Sequence, residues 1–367
     1  MPASFNHTVF AYRFPFLRYV LIQVVFWLMS YLFLAFLSHQ VLIIGNPDQA
    51  RFGLAENFTV AGFFGFFYGV AAGLVGWFFE RRFFYNKALW IVFLGKIAIS
   101  IVVFLILVNL VRFVMHPYVL KLLSSTAIFI TKQKSWDAFL YLMLSYNVAI
   151  ELLITFINQV NKKYGPGVML PLLLGKYRSP KEEEMIFLFM DLKSSTRLAE
   201  TLGHFKYSAF IRDTFMDINS ILSKYNAQIY QYVGDEIVIT WPIALGLRDA
   251  HCIEFFFACE ARFIERADYY EGRYAEIPQF KAGLHMGKVT AVEVGDIKRD
   301  IAYHGDTLNT AARLQSVCND YNKKLLSSAY VLKNVQLNKP FTFESMGTVV
   351  LKGKTEALEI ASIERTR

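Results

Sequence analysis

Long apolar stretches fill the first 160 residues of the chain and then give way to a more polar pattern. A helix needs about 20 mostly apolar residues to cross the hydrocarbon core of a bilayer. Four stretches meet that length, at about 17–44, 58–79, 88–115 and 136–158. A fifth apolar run, 117–131, is shorter and contains Lys121, so we interpret it as an interfacial or re-entrant segment. The pattern predicts an α-helical transmembrane domain with four spans over residues 1–158.

Residues 185–367 show a different pattern, in which short apolar runs alternate with helical periodicity. Met185–Met190 is an unbroken apolar run that ends at Asp191, as expected of a strand buried on both faces. Gly234-Asp235 lies between two short strands and has the chemistry of a hairpin turn. The predicted elements lie at about 185–190, 196–225, 227–233, 236–241, 243–270, 280–294, 306–320 and 343–363. Their order, βαββαβ with extra strands at the end, predicts an α+β ferredoxin-like domain.

The segment between these two parts, residues 159–184, interrupts the apolar pattern with glycines and prolines and ends in three glutamates. Such residues break helices and strands, so the sequence predicts a jointed linker that can transmit movement.

Charge adds an orientation to this plan. Lys and Arg residues near the span ends divide into nine on one side and four on the other. The nine are Arg13, Arg18, Arg81, Arg82, Lys87, Lys162, Lys163, Lys176 and Arg178; the four are Arg51, Lys121, Lys132 and Lys134. The more basic side is expected to face the cytoplasm, which predicts a multi-pass plasma-membrane protein with a cytoplasmic N-terminus and C-terminal domain. Because much of the net charge of +8 flanks the spans, nucleic acid is not a predicted partner.

Composition agrees with a membrane protein, since 55% of residues are hydrophobic and the mean hydropathy is +0.35. Within the second span, Gly65, Gly69 and Gly73 form a smooth helix face that predicts close packing or dimerisation. Lys96 and Glu151 lie at similar predicted depth in different spans, and buried ionisable groups are usually paired. We therefore expect a contact between Lys96 and Glu151. The three cysteines are Cys252, Cys259 and Cys318, which we interpret as reduced structural thiols.

Two carboxylates are the first candidate chemistry in the polar half. Asp191 closes the first predicted central strand, and Asp235 lies in the turn of the neighbouring hairpin, so the fold can bring them together. Two close carboxylates with no neighbouring lysine favour a bound cation, and hard oxygen ligands favour Mg²⁺. The exposed amides of the following helix, which starts near residues 193–196, could receive a triphosphate.

Five sequence blocks then identify a family. They are Phe189–Leu192 with Ser194-Ser195-Thr196, Gly234-Asp235, Lys281–Val289, His304–Leu314 and Leu351–Lys354. In this order the blocks resemble the metal-binding motifs, the glycine-histidine strand, the signature helix and the C-terminal strand of class III adenylate and guanylate cyclases. The resemblance covers about 180 residues of the polar half and does not extend to the membrane half.

The resemblance implies a mechanism. Asp191 and Asp235, with the backbone carbonyl of Leu192, would hold two Mg²⁺ (or Mn²⁺) ions, while Asn309 would orient the ribose and Arg313 would stabilise the transition state. Ser194, Ser195 and Thr196 would receive the triphosphate, with Lys352 or Lys354 reaching its outer phosphates. In this family the metal ligands come from one protomer and the asparagine and arginine from the other. A catalytic homodimer that converts ATP to 3′,5′-cyclic AMP and pyrophosphate, for signal transduction, is the implied function.

The base-recognition positions depart from the family pattern. Gln231 occupies the position of the usual base-recognising lysine, and Ala302 occupies that of its Asp or Thr partner. Gln231 offers a donor and an acceptor to adenine, but other bases can use them too. We favour ATP, with a pyrimidine triphosphate or relaxed specificity as the alternative.

Two other functions compete with this interpretation. Val233–Ile237 resembles a degenerate form of the glycine-rich turn of diguanylate cyclases, although the Asn309–Arg313 block argues against that family. The second competitor is a membrane receptor whose cyclase-like domain is catalytically silent. A silent domain has no chemical need for Asp191, Asp235, Asn309 and Arg313, so the sequence favours the enzyme.

Overall fold

The computed structural model describes residues 15–45, 54–84, 87–110, 133–164, 169–335, 341–350 and 357–366. The chain divides into two compact units, Met1–Tyr164 and Gly165–Arg367. The predicted interfacial segment 117–131 lies outside the described residues, as do Lys352 and Lys354.

The N-terminal unit contains four long helices in its described part. They are α1 (Pro15–Gly45), α2 (Leu54–Arg82), α3 (Leu89–Leu110) and α4 (Gln133–Tyr164). Each contains a stretch of at least 22 residues that is long and apolar enough to cross a membrane: Tyr19–Val41, Asn57–Glu80, Leu89–Leu110 and Leu140–Asn161. The predicted set of four spans is confirmed at the level of length and composition.

The glycines of α2 pack against α1 of the same chain. A Cβ added to Gly69 would lie 2.6 Å from Val24 Cα, and one added to Gly65 would lie 2.8 Å from Leu28 Cα. Gly73 continues this contact one turn further along. Because the opposing atoms belong to the backbone, no side chain could move aside, and the glycine face is an intrachain packing surface.

Lys96 forms an ion pair inside this unit, but the prediction of its partner was wrong. Its Nζ atom lies 3.1 Å from Glu80 Oε2, and only 6% of the lysine side chain is exposed. Glu151 instead accepts a hydrogen bond from Thr155 and lines, together with Lys96, a small cavity of about 30 Å³. Glu80 reaches Lys96 because α2 and α3 are consecutive helices, which brings the end of one beside the start of the next.

The C-terminal unit is built on an eight-stranded sheet. Its strands are β1 (Lys181–Leu192), β2 (Gln228–Val233), β3 (Glu236–Pro242), β4 (Phe280–Val294), β5 (Asp300–His304), β6 (Leu325–Ser328), β7 (Phe341–Val349) and β8 (Leu358–Arg365). The α-helices are α5 (Met169–Leu173), α6 (Ser195–Ile221), α7 (Ile243–Gly246), α8 (His251–Glu265), α9 (Ala267–Tyr274), α10 (Asp306–Ser316) and α11 (Ala329–Asn334). Short 3-10 turns follow α6 and α7.

The strand order is β2-β3-β1-β4-β6-β8-β7, with β5 paired to β4. The first four strands are antiparallel neighbours and carry the ferredoxin-like plan that the sequence predicted, whereas β6 joins β4 in parallel. Strands β5 and β6 and helix α11 were not predicted, and two predicted elements have clearly different bounds. The predicted helix 243–270 is broken, because Asp249 and Ala250 adopt positive φ angles of 48° and 54°. Strand β1 starts at Lys181 rather than Met185, since its charged first residues pair with β4 at an exposed end.

Alternation along β1 assigns its residues to two faces of the sheet. Even-numbered residues such as Ile186 and Leu188 pack into the large core beneath α6 and α8. Phe187 faces the other side, where it packs with Ala311 of α10. Since Asp191 shares this second face by alternation, the end of β1 presents its carboxylate on the α10 side.

A network of tyrosines ties α6 to α9. The hydroxyl groups of Tyr269 and Tyr274 each donate a hydrogen bond to Asp213 Oδ2, at 2.6 Å in both cases. One turn further along α6, Asp217 accepts a hydrogen bond from Tyr270 and forms an ion pair with Arg266. These buried carboxylates are therefore fully engaged in structure on the side of the sheet away from α10.

The residues just before β1 are docked on the sheet. The backbone N–H of Glu293 in β4 donates a 2.8 Å hydrogen bond to the carbonyl of Tyr177. The Tyr177 side chain is 8% exposed, and Lys176 Nζ lies 2.6 Å from Glu183 Oε1. The last part of the predicted linker thus belongs to the folded C-terminal unit.

Candidate functional site

Strand register brings the two predicted metal ligands together. Asp191, the penultimate residue of β1, pairs directly with Glu236, the first residue of β3. Asp235 immediately precedes Glu236 in the two-residue turn after β2. Gly234 supports this turn with a φ angle of 63°. The carboxylates of Asp191 and Asp235 therefore meet at one edge of the sheet.

The negative charges of neighbouring carboxylates repel one another at this edge of the sheet, and the repulsion contributes to raised pKa values at two of them. Burial raises the pKa of Asp191, and the charge of Asp235 raises it further. Burial likewise raises the pKa of Glu236, with additional contributions from Asp191 and Asp235. Crowded carboxylates of this kind favour a proton or a cation between them.

A lysine beside Asp191 already supplies part of this positive charge, although the sequence predicted no lysine near the two carboxylates. Lys281 in β4 pairs directly with Asp191 across the sheet, and its Nζ atom lies 3.3 Å from Asp191 Oδ2. Its side chain is 15% exposed. Sequence reasoning missed this contact because the β1–β4 register, which is non-local, decides which residue faces the carboxylate.

Gln315 supplies a second donor to the same oxygen. Its Nε2 atom donates a 3.0 Å hydrogen bond to Asp191 Oδ2. The contact depends on a close approach of α10 to β4 at Gly283, where an added Cβ would overlap the backbone N of Gln315. A glycine inside a strand pattern is a signal of such close approach, although it does not reveal which side chain the approach delivers.

Asn309 and Arg313 do not belong to the buried side of α10 that faces the sheet. The buried stripe of this helix consists of Thr307, Thr310, Ala311, Leu314 and Gln315. Asn309 is exposed, and Arg313, two positions from Gln315, is about 200° around the helix from it. Asn309 and Arg313 therefore lie on a different side of α10 from Gln315, the residue of this helix that contacts Asp191.

The predicted triphosphate segment lies beside the carboxylates. Leu192 ends β1 and is buried, Ser194 adopts a left-handed φ of 55°, and Ser195 begins α6. Thr196 is exposed in the first turn. Tyr207, which sequence reasoning missed, also faces this edge: burial and the charge of Asp235 raise its pKa, while the Ser195 hydroxyl opposes the change.

The two predicted base-recognition positions lie on β2 and β5. Gln231 pairs with Val238 and is exposed, and Ala302 pairs with Val292. Their neighbours Tyr230 and Tyr303 are in contact, with ring centroids 5.1 Å apart. The tyrosine contact brings the backbones that carry Gln231 and Ala302 into one region.

Other candidate groups have structural partners. His285 Nδ1 lies 2.7 Å from Ser328 Oγ. The three cysteines are free and buried, and burial raises the pKa of the Cys318 thiol to about 11. Neither the histidine nor the thiols suit nucleophilic or metal chemistry here.

The donor set suits a hard divalent cation held by few protein ligands. Among the described residues, no cluster of three or more His, Cys, Asp or Glu side chains has a geometry for a metal ion. Mg²⁺ does not require such a cluster, because it commonly uses one or two carboxylates together with substrate phosphates. Asp191 and Asp235 provide that pair of carboxylates, and the repulsion between their charges favours a cation bound between them.

Comparison with known proteins gives a consistent picture. The family described as adenylate and guanylate cyclase catalytic domain matches residues 177–361. Adenylate cyclase 2 of Rhizobium meliloti (strain 1021) is 36% identical over 60% of this chain and 61% of its own length. Adenylate cyclase 1 of the same organism is 26% identical over 51% of this chain and 28% of its own length. This chain thus spans less than two thirds of these curated relatives.

A solved structure supports the fold. A bacterial light-regulated adenylyl cyclase superimposes with a TM-score of 0.50 and 22% identity, covering 60% of this chain and 65% of that one.

Proposed function

The chain belongs to the family of class III adenylate and guanylate cyclases, and we propose that it is a membrane-bound enzyme converting ATP to 3′,5′-cyclic AMP and pyrophosphate. The observation that carries the proposal is the proximity of Asp191 and Asp235 at one edge of the sheet, while Asn309 and Arg313 lie on a different side of α10 from Gln315. One chain then offers two complementary half-sites. A homodimer would join them into complete sites.

Asp191, Asp235 and the backbone carbonyl of Leu192 would hold two Mg²⁺ or Mn²⁺ ions. When bound, such ions supply Lewis acidity toward the attacking hydroxyl and charge neutralisation at the triphosphate. The chain's contribution would be to hold the two carboxylates side by side despite their mutual repulsion.

The triphosphate would lie over the start of α6, where Ser194, Ser195 and Thr196 expose hydroxyls and amides. Lys281 is the cation beside the carboxylates and would turn toward the phosphates once other positive charge reaches Asp191. Lys352 and Lys354 remain candidates for the outer phosphates on the strength of the family motif.

Cyclisation would form a bond from the ribose 3′-oxygen to the α-phosphorus. The bond from that phosphorus to the bridging oxygen breaks, pyrophosphate leaves with the electron pair, and the hydroxyl proton passes to solvent. Asn309 of the second chain would orient the ribose. Arg313, one helical turn away on the same face, would stabilise charge that grows on the α-phosphate.

ATP is favoured because Gln231 can pair with the donor and acceptor edge of adenine, and because the relatives described above are named adenylate cyclases. Ala302 would contribute only backbone groups. A pyrimidine triphosphate or relaxed base specificity is the alternative that this pair of residues leaves open.

The membrane setting follows from the four apolar helices. We propose a plasma-membrane location with the catalytic unit in the cytoplasm, where nucleoside triphosphates are available. The signal that the membrane unit receives would reach the catalytic unit through the connecting segment.

The test uses the full-length protein in detergent micelles. Each of the four nucleoside triphosphates is offered with Mg²⁺ or Mn²⁺, and the cyclic product is identified by mass spectrometry. Cyclic AMP is expected; cyclic products from several bases would indicate relaxed specificity. A confirmed dimer that forms no cyclic product from any nucleotide would overturn the enzyme proposal in favour of a silent receptor domain.

A second experiment addresses the shared site. Asp191→Ala and Arg313→Ala should each be inactive, whereas a mixed preparation should recover activity at one composite site per mixed dimer. No recovery from verified mixed dimers would contradict the two-chain arrangement.

A further inference from the structure

The strongest unassigned feature is the contact between a buried amide and a predicted metal ligand. Gln315 is 6% exposed, and its Nε2 atom donates to Asp191 Oδ2 at 3.0 Å. A polar side chain buried to this extent needs a hydrogen-bond partner, and Asp191 supplies it. Lys281 Nζ reaches the same oxygen at 3.3 Å.

We propose that Gln315 is a positioning residue that fixes the orientation of the Asp191 carboxylate for metal binding, an inference that rests on the proposed function. Two donors on Oδ2 restrict rotation of the carboxyl group and leave Oδ1 as the oxygen that neither of them uses. Of the two donors, Lys281 carries a charge that competes with a metal ion. Gln315 is neutral, so its hydrogen bond can persist when the ion is bound.

Backbone packing holds the amide in place. At Gly283, an added Cβ would overlap the backbone N of Gln315 and the carbonyl oxygen of Ala311. Since α10 and β4 touch through backbone atoms, the helix cannot shift toward the sheet. The distance from the α10 backbone to Asp191 is thereby set by the fold rather than by a flexible side-chain contact.

Charge explains why an amide suits this position. Asp191, Asp235 and Glu236 already place three carboxylates at one edge of the sheet. A carboxylate in place of the amide of Gln315 would add a further negative charge and lose the donor. A hydrophobic side chain would leave Asp191 Oδ2 with one donor fewer.

The position of Gln315 on α10 makes its action specific to one site of a dimer. Gln315 serves the Asp191 of its own chain, whereas Arg313 on the opposite side of the helix would serve the partner's nucleotide. The same substitution should therefore have different effects in the two chains of a mixed dimer.

The test places Gln315→Met in one chain of the mixed dimer formed by Arg313→Ala and Asp191→Ala chains. In that dimer the Arg313→Ala chain provides the working Asp191. Gln315→Met in this chain should raise the Mn²⁺ concentration needed for half-maximal activity by about 10-fold, the usual effect of losing a residue that orients a metal ligand. In the Asp191→Ala chain, the substitution should leave that concentration within about 2-fold.

A direct measurement accompanies the kinetics. Mn²⁺ binding to the full-length Gln315→Met homodimer, followed by electron paramagnetic resonance without nucleotide, should weaken by about 10-fold relative to the unsubstituted protein. Thermal unfolding of the same samples shows whether the catalytic unit is folded.

Three results separate the possibilities. Equal effects of the two placements would overturn the positioning role, and so would unchanged Mn²⁺ binding by a folded Gln315→Met protein. Inactivity of the mixed dimer without any change at Gln315 would count against the shared site of the proposed function, while the resonance measurement would still decide the role of Gln315.

Discussion

Lys281 and Asp191 face each other directly across the β1–β4 pair, with the ammonium nitrogen 3.3 Å from Asp191 Oδ2. The lysine therefore occupies the electrostatic place that a divalent cation would otherwise fill. Burial and the charge of Asp235 raise the pKa of Asp191, and Lys281 offsets only part of that rise. Metal binding and this ion pair should compete.

Lys281→Met should change metal and nucleotide binding in opposite directions. Without the ammonium group, Mn²⁺ binding in the absence of nucleotide should tighten. The KM for ATP should rise by about 10-fold or more, because a charge-assisted hydrogen bond to phosphate contributes about 1.5–3 kcal/mol. Isothermal titration with Mn²⁺ and steady-state kinetics measure the two effects. Lys288→Met, on the same strand but 71% exposed, should change neither quantity.

Asp191→Asn should abolish cyclisation and yet stabilise the metal-free protein. The raised pKa means that the ionised carboxylate is less favourable in the folded state than in the unfolded state, so its removal should help at neutral pH. A gain on the order of 1 kcal/mol would raise the unfolding temperature by about 2–4 °C. The gain should grow as the pH rises from the unfolded-state pKa of about 3.9 through the raised pKa of the folded state, and stay constant at higher pH.

Differential scanning fluorimetry in the presence of a chelator measures this gain. The exposed Asp320→Asn substitution is the matched control and should leave the unfolding temperature unchanged. A lower unfolding temperature for Asp191→Asn would contradict the inferred repulsion.

Tyr274→Phe should destabilise the catalytic unit by about 1.5–3 kcal/mol, since it removes a hydrogen bond to a charged carboxylate. Burial opposes ionisation of Asp213, but the hydrogen bonds from Tyr269, Tyr274 and Arg212 outweigh it and lower the pKa of that group. A lowered pKa stabilises the fold above the unfolded value of about 3.9, and the contribution is lost as the pH falls through the folded value.

The difference between Tyr274→Phe and the unsubstituted protein should therefore be constant from about pH 6 to pH 8 and shrink below about pH 4. Thermal unfolding as a function of pH measures it. Tyr330→Phe, at a tyrosine that is 55% exposed, should behave like the unsubstituted protein throughout.

Gly69→Ala should disrupt the packing of the membrane unit, whereas Gly62→Ala on the same helix should not. The new Cβ at residue 69 would lie 2.6 Å from Val24 Cα, while nothing lies within 4 Å of a Cβ at residue 62. Overpacking of this kind typically costs about 1–3 kcal/mol. Resistance of the detergent-solubilised protein to heat-induced aggregation compares the two variants. Equal behaviour would show that α1 and α2 do not pack through this face.

The sequence predicted the parts of the site that lie at the ends of local elements. Asp191 follows an apolar strand and Asp235 lies in a recognisable turn, so both positions could be read from neighbouring residues. Lys281 and Gln315 could not be identified as partners of Asp191. Their contacts depend on strand register and on the approach of α10 to Gly283, and these are properties of distant segments.

The same distinction explains the remaining differences. Equal depth in two spans suggested a Lys96–Glu151 pair, and the two residues do line one cavity. Depth alone does not say which of several nearby carboxylates the ammonium group reaches, and the ion pair is with Glu80. Strand β5 was not predicted because it has only five residues and is flanked by charged residues and a glycine. The helix breaks just after Gly246, but a single glycine does not by itself specify a break, and neither residue with a positive φ, Asp249 or Ala250, is a glycine.

Tyr177 has a practical consequence for anyone who wishes to isolate the cyclase part of this protein. Its carbonyl accepts the Glu293 amide and its ring is almost fully covered, so the folded unit starts upstream of its first strand. A fragment cut at Lys181 would remove the hydrogen-bond partner of the Glu293 amide in β4 and leave a tyrosine-sized gap. An expression boundary placed before Gly175 should yield soluble material, and one placed at β1 should favour inclusion bodies.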